Sequence, residues 1–203
     1  MLLRLNMTRA VKALIRDVAK RLPELEHVRP ARILVVAGEA RRASRATIRP
    51  AHYDGTGGRA GHGARTKPLI RVKGRKILYV ITLRPLWFLD STPEERIHTI
   101  LHELYHASRA FDGTLDPARR HARLPLARYD RRIGRLVERY HAQAPQEVLA
   151  PFAPSGIVRA RMWLERPAAA YDEEAYRGRR VYTEEQLFLG HVRMVSRKRR
   201  RVQ

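Results

Sequence analysis

The sequence predicts an α+β fold, on three observations. Apolar residues recur at helical spacing in three separate stretches. Short β-branched runs of strand length lie between the first and second of these. A hairpin signal across Lys73-Gly74 joins two of the runs and gives a small antiparallel or mixed sheet. At 203 residues the chain is long enough for one domain with a real core. The expected layout is a domain over 1–143, a proline-rich linker at 144–156, a small extension at 157–195 and a basic tail at 196–203.

The first helix is expected over 8–22, where Val11, Leu14, Ile15, Val18 and Leu22 share one face, with Thr8 as N-cap and Pro23 as stop. ARILVVAG (31–38) reads as a buried strand closed by Gly38, and ATIRPAHY (46–53) as a second strand confined to an edge by Pro50. The glycine-rich 54–66 lacks the spacing of a phosphate cradle and reads as a loop, with His62 in it. LIRV (69–72) and KILYVITL (76–83) form the hairpin, and Pro85 ends it. A helix over 93–111 opens with a capping box, Thr92 and Glu95 around Pro93, and stops before Gly113. The third helix, 127–142, places Tyr129, Ile133, Leu136, Val137 and Tyr140 on one face. Beyond it, 157–195 fits either a β-hairpin or a strand plus helix, and Thr183 with Gln186 forms a second capping box. There is no internal repeat.

Composition excludes several classes. No apolar run approaches the ~18–20 residues of a membrane span, and the N-terminal stretch carries charges inside its apolar pattern, unlike a signal peptide. A cytoplasmic protein without membrane partners is the expectation. With no cysteine, disulfides and thiolate zinc ribbons are impossible, so any metal must be held by His, Asp or Glu. The net charge is +22, divided as +14 over 1–90, +2 over 91–150 and +6 over 151–203. Such an excess implies a polyanion partner, DNA or RNA, through counterion release. Coding bias toward Arg, which supplies 36 of the 42 cations, is the competing explanation.

The near-neutral middle holds TILHELYHA (99–107), an H-E-x-x-H of His102, Glu103 and His106. On a helix, Ile97, Ile100, Leu101, Leu104, Ser108 and Phe111 fall within about 60° of one line, while His102 and His106 lie on the opposite side. Two imidazoles at i and i+4 can reach one Zn2+ at about 2.0–2.1 Å. A carboxylate beside the first of them is placed to take a proton from metal-bound water. His98, one turn earlier, reads as a surface histidine.

On this motif, and over roughly residues 30–141, the chain resembles zincin metallopeptidases, most closely the compact SprT-like and phage metallopeptidase families. The resemblance implies a zincin-like domain and hydrolysis of a protein or peptide substrate. Glu103 would be the base, and His102 and His106 zinc ligands. Two departures are plain: His121-Ala122 stands where SprT-like proteins often have HG, and the cysteine ribbon of many members is absent. His121 is the favoured third ligand by its order before the 127–142 helix. Asp112, six residues after His106, is the rival, and Glu138 and His141 stay open. The family's substrate-aligning edge strand would be KILYVITL, with Tyr105, Tyr129 or Tyr140 beside the oxyanion. The alternative function is nucleic-acid binding with a structural or vestigial zinc site.

Overall fold

The computed structural model describes residues 5–39, 44–54, 65–119, 126–153 and 156–194. Its first helix, α1 (Met7–Arg21), buries Met7, Ala10, Val11, Leu14, Ile15 and Val18. The cap is Asn6, whose side chain accepts from the Arg9 N–H at 3.0 Å, and not Thr8. Thr8 is buried within the first turn, its hydroxyl accepting from the Arg161 N–H at 2.8 Å. The helix ends at Leu22, before Pro23, as a proline stop requires.

The strands are β1 (Ile33–Ala37), β2 (Ala46–Pro50), β3 (Tyr53–Asp54), β4 (Arg65–Lys67), β5 (Leu69–Val72), β6 (Arg75–Lys76) and β7 (Tyr79–Leu83). Lys73 and Gly74, both at positive φ (50° and 71°), make the tight turn that joins β5 to β6. KILYVITL does not continue that hairpin. It breaks after Lys76, and β7 pairs in parallel with β1 on one side and antiparallel with β2 on the other. The central strand of this sheet is therefore β7, and β2 is an edge, with Pro50 at its end. Every residue of β1 is buried because the sheet is covered on both faces. Ile33, Val35 and Ala37 join the main core with α1, while Leu34 and Val36 join a second cluster with Ile70, Ile77, Val80 and Tyr182.

Two helices follow the sheet, α2 (Pro85–Leu89) and α3 (Pro93–Tyr105). The predicted capping box is present, with both Thr92–Glu95 hydrogen bonds made. The helix is shorter than the sequence suggested, however. It stops at Tyr105 with His106 as C-cap, and the chain turns back through an Ala107–Leu115 bridge. Ser108 and Phe111 are thus not on the helix, and Phe111 itself takes φ 49°. Buried Tyr79 pins this loop: its hydroxyl donates to the Thr114 carbonyl at 2.7 Å and accepts from the Gly113 N–H at 3.1 Å.

The remaining elements are α4 (Leu126–His141), α5 (Gln146–Leu149), β8 (Gly156–Trp163), β9 (Tyr171–Asp172), β10 (Val181–Tyr182) and β11 (Leu187–Met194). The fold is α+β, with five helices and small mixed sheets among the described residues. Of the two options for the C-terminal part, the hairpin is the one formed: β8 and β11 pair antiparallel over eight residues each. The Thr183–Gln186 box caps only a 3-10 turn at Glu184–Gln186. The proline-rich 144–156 stretch carries α5 and a turn that seats Phe152 in the core. Buried Arg96 of α3 donates to the Phe152 carbonyl at 2.5 Å and the Leu89 carbonyl at 2.6 Å, and burial lowers its pKa. Val158 and Ala160 of β8 belong to the same core as α1. No helix among the described residues is long and apolar enough to cross a membrane.

Because Phe152 is fully buried, Phe152→Ala should cost about 3–5 kcal/mol of unfolding free energy. Urea denaturation followed by circular dichroism checks this; a loss below about 1 kcal/mol would show that the stretch only rests on the surface.

Candidate metal centre

α3 is two-faced as its sequence requires. Ile97, Ile100, Leu101 and Leu104 are fully buried in the core, while His102 and His106 are half-buried on the other side. The two imidazole centroids lie 5.0 Å apart with the rings nearly perpendicular. The His98 ring is 6.2 Å from that of His102, and burial lowers its pKa against the opposing pull of Asp130 and Glu95. It is half-buried rather than a surface group.

His106 is the better defined of the pair. Its Nδ1 lies 2.8 Å from the Arg119 carbonyl, which can only accept, so Nδ1 carries the proton and Nε2 keeps its lone pair. This partner, a backbone carbonyl behind a histidine, is the usual support of a metal-ligating imidazole. Tyr129, from α4, stacks on His106 at 5.5 Å and 16°, and its hydroxyl lies over the imidazole, 3.2 Å from Nε2 and 3.4 Å from Nδ1. The same ring meets His102 edge-on at 5.0 Å. Burial, and then the nearby Glu103, raise the Tyr129 pKa, so the hydroxyl stays protonated. Of the three tyrosines read from sequence, Tyr129 is therefore the one at the His pair. Tyr105 is buried beneath Arg119, and the Tyr140 hydroxyl donates to Asp17 at 2.9 Å.

Glu103 is 8% exposed, and its Oε2 accepts from the backbone N–H of Ile48 at 2.7 Å. Burial pushes its pKa up to about 8, against the smaller opposing effect of that hydrogen bond. The contact sets Glu103 against the edge of β2 that no described strand pairs, and an Arg45–Glu95 ion pair at 2.7 Å ties the start of β2 to the start of α3. The edge strand at the site is thus β2, which corrects the expectation of KILYVITL.

The third ligand is not set by the described residues. His121 lies outside them, as does His62. Asp112 is exposed in the loop after α3, its Oδ1 accepting from the Thr114 N–H at 2.9 Å and hydroxyl at 2.8 Å, which lowers its pKa. Glu138 is exposed on α4, and His141 packs beside Tyr140. No three His, Asp or Glu side chains form a metal-holding group among the described residues. The donor chemistry in place fits zinc at two positions, with the carboxylate beside them.

Sequence reasoning missed Arg119. Its guanidinium donates to the Tyr105 carbonyl at 3.1 Å, lies 4.2 Å above the Tyr105 ring and pairs with Asp116 at 3.2 Å. Nothing in an arginine pair after a loop signals that the first of them will close a helix 14 residues earlier. Compared with known proteins, the chain matches no family model, no curated protein and no solved structure.

Arg119→Ala removes the donor at the helix end and should cost about 2–3 kcal/mol. Chemical denaturation measures it. The His106 Nδ1–H proton should also exchange faster by NMR, whereas an unchanged rate would mean that the backbone carbonyl stays in place without the guanidinium.

Proposed function

We propose that the chain is a zinc-dependent metallopeptidase with a zincin-like arrangement, hydrolysing peptide bonds in a protein or peptide substrate. One observation carries this reading. Two imidazoles one helical turn apart stand beside a buried carboxylate, and the rear nitrogen of one is already satisfied by a backbone carbonyl. His102 and His106, with His121 as the favoured third ligand, would hold the metal. When bound, zinc polarises the scissile carbonyl and lowers the pKa of its water toward ~7.

The rest of the chemistry falls to the chain's own side chains. Glu103 is the base, its Oε2 tethered by the Ile48 N–H so that the other oxygen is left to take the proton and pass it to the leaving amine. Tyr129, protonated and beside His106, is the donor proposed for the oxyanion. The β2 edge supplies the backbone groups along which an extended substrate would add as a strand. The buried aliphatic face of α3 holds these groups in register, which supports a rigid site.

Purified protein should take up about one zinc per chain, and His102→Ala or His106→Ala should abolish uptake. Elemental analysis after reconstitution decides it, and a wild-type chain that stays metal-free overturns the reading. His121→Ala and Asp112→Ala, measured alongside, identify the third ligand by which of them lowers zinc affinity.

Glu103→Gln keeps a carbonyl oxygen to accept from Ile48, so fold and zinc should persist while hydrolysis falls by at least ~10²-fold. Tyr129→Phe should lower kcat by roughly 10²-fold with KM little changed, as loss of one oxyanion donor does. Steady-state kinetics on a casein-derived peptide would reject either role if the variant turned over at the wild-type rate.

A further inference from the structure

α4 separates its side chains by face. Tyr129, Ile133, Leu136 and Tyr140 are buried in the core. Arg128, Arg131, Arg132, Arg135 and Arg139 are all exposed. At about 100° per residue these arginines fall within an arc of about 100°, along about 16 Å of helix. Asp130 lies on the opposite side, and Glu138 lies just outside the arc.

The stripe is concave. With Glu24, Tyr105 and Leu136 it lines a cleft of about 660 Å³. Glu24 is the one carboxylate in that lining among the described residues, and it pairs with Arg139 at 2.6 Å. Arg128, Arg132 and Arg135 form no ion pair among the described residues. Arg132 instead stands 5.5 Å from the centre of the Tyr105 ring, the ring that Arg119 also covers.

A solvated helix face ordinarily interleaves carboxylates one turn from its cations, because opposite charges at i,i+3 and i,i+4 stabilise the helix and like charges destabilise it. Here 128/131, 128/132, 131/135, 132/135 and 135/139 are all Arg–Arg neighbours. Such self-repulsion is relieved when the counter-charge comes from outside.

The lining indicates which anion. Its apolar members among the described residues, Leu136 and Tyr105, are 4% and 2% exposed, so they offer little of the apolar anchor on which a protein partner depends. What it offers is a row of guanidinium forks, which match phosphate oxygens and gain from releasing condensed counterions. We propose that the α4 cleft binds the phosphodiester backbone of a nucleic acid. Its contacts are to phosphate, so recognition is independent of base sequence.

The proposal is independent of the metallopeptidase reading, because binding is measured on the metal-free full chain. Anisotropy of a labelled 20-base-pair duplex is followed over a salt series. The logarithm of the wild-type affinity should fall linearly with the logarithm of salt, and Arg132→Gln/Arg135→Gln should flatten that slope by about 2. At ~0.1 M salt each lost contact then weakens Kd by roughly tenfold. Melting of the double variant should be unchanged or raised, since repulsion is relieved, which separates lost binding from lost folding. Glu24→Gln, which releases Arg139 from its carboxylate, should tighten Kd several-fold. An unchanged slope in the double variant, an unchanged or weaker Kd in Glu24→Gln, or no duplex binding at ~0.05 M salt would each overturn the proposal. So would displacement of the duplex by poly-glutamate at equal charge, which would assign the cleft to an acidic polypeptide.

Discussion

The hydrogen bond from the Arg119 guanidinium to the Tyr105 carbonyl sets where α3 ends, and the His pair depends on that ending. A helix leaves its last four carbonyls without partners, and a buried helix end needs donors from elsewhere. Arg119 supplies one from its side chain while its own carbonyl takes the His106 Nδ1–H. One residue thus closes the helix and selects the tautomer of its last histidine. The guanidinium is kept in place by Asp116 and by the Tyr105 ring, while burial lowers its pKa. Had α3 run on to Phe111, His106 would lie mid-helix, and the loop that brings Arg119 back beneath it could not form.

The other side of the site depends on a sheet edge. An exposed edge strand presents unpaired N–H and C=O groups, and these must be paired, covered or charged. At β2 one of these groups, the Ile48 N–H, is taken by Glu103. The same carboxylate is therefore part of the fold and the proposed base. This explains why it is buried while the two histidines beside it remain half-open.

Local signals were readable in the sequence and distant pairings were not. The start of α3 was legible because its capping box is written in four adjacent residues, and the α4 face because apolar residues repeat over 16 positions. The end of α3 was not legible. A helical pattern continues through Ser108 and Phe111, and it is overruled by Tyr79 and Arg119, which are remote in sequence. The order of the strands was hidden for the same reason. LIRV and KILYVITL look like hairpin partners, yet β7 finds β1, more than 40 residues away, and lies between it and β2, a pairing that no local spacing announces. Phe152 shows the converse: a proline-rich stretch reads as linker until one aromatic side chain is seen to occupy the core. At the site, the pair and its carboxylate were legible from a five-residue spacing, whereas the selection of Tyr129 over Tyr105 and Tyr140 needed the packing of α4 against α3.

α4 also relates the two proposed activities in space. Tyr129 projects toward the histidines from one face of the helix, and the arginine stripe occupies the neighbouring face, about 100° around the axis. Both are fixed by the same buried row, because Ile133, Leu136 and Tyr140 lock the rotation of the helix against the core. A phosphate chain held on the stripe would thus lie about one helix diameter, roughly 10 Å, from the His pair, with no flexible linker between them. At that distance the nucleic acid would not compete for the β2 edge. It would instead present protein bound along it to the His pair at a fixed offset, so the positive charge would act by concentrating one kind of substrate rather than by taking part in the proposed hydrolysis.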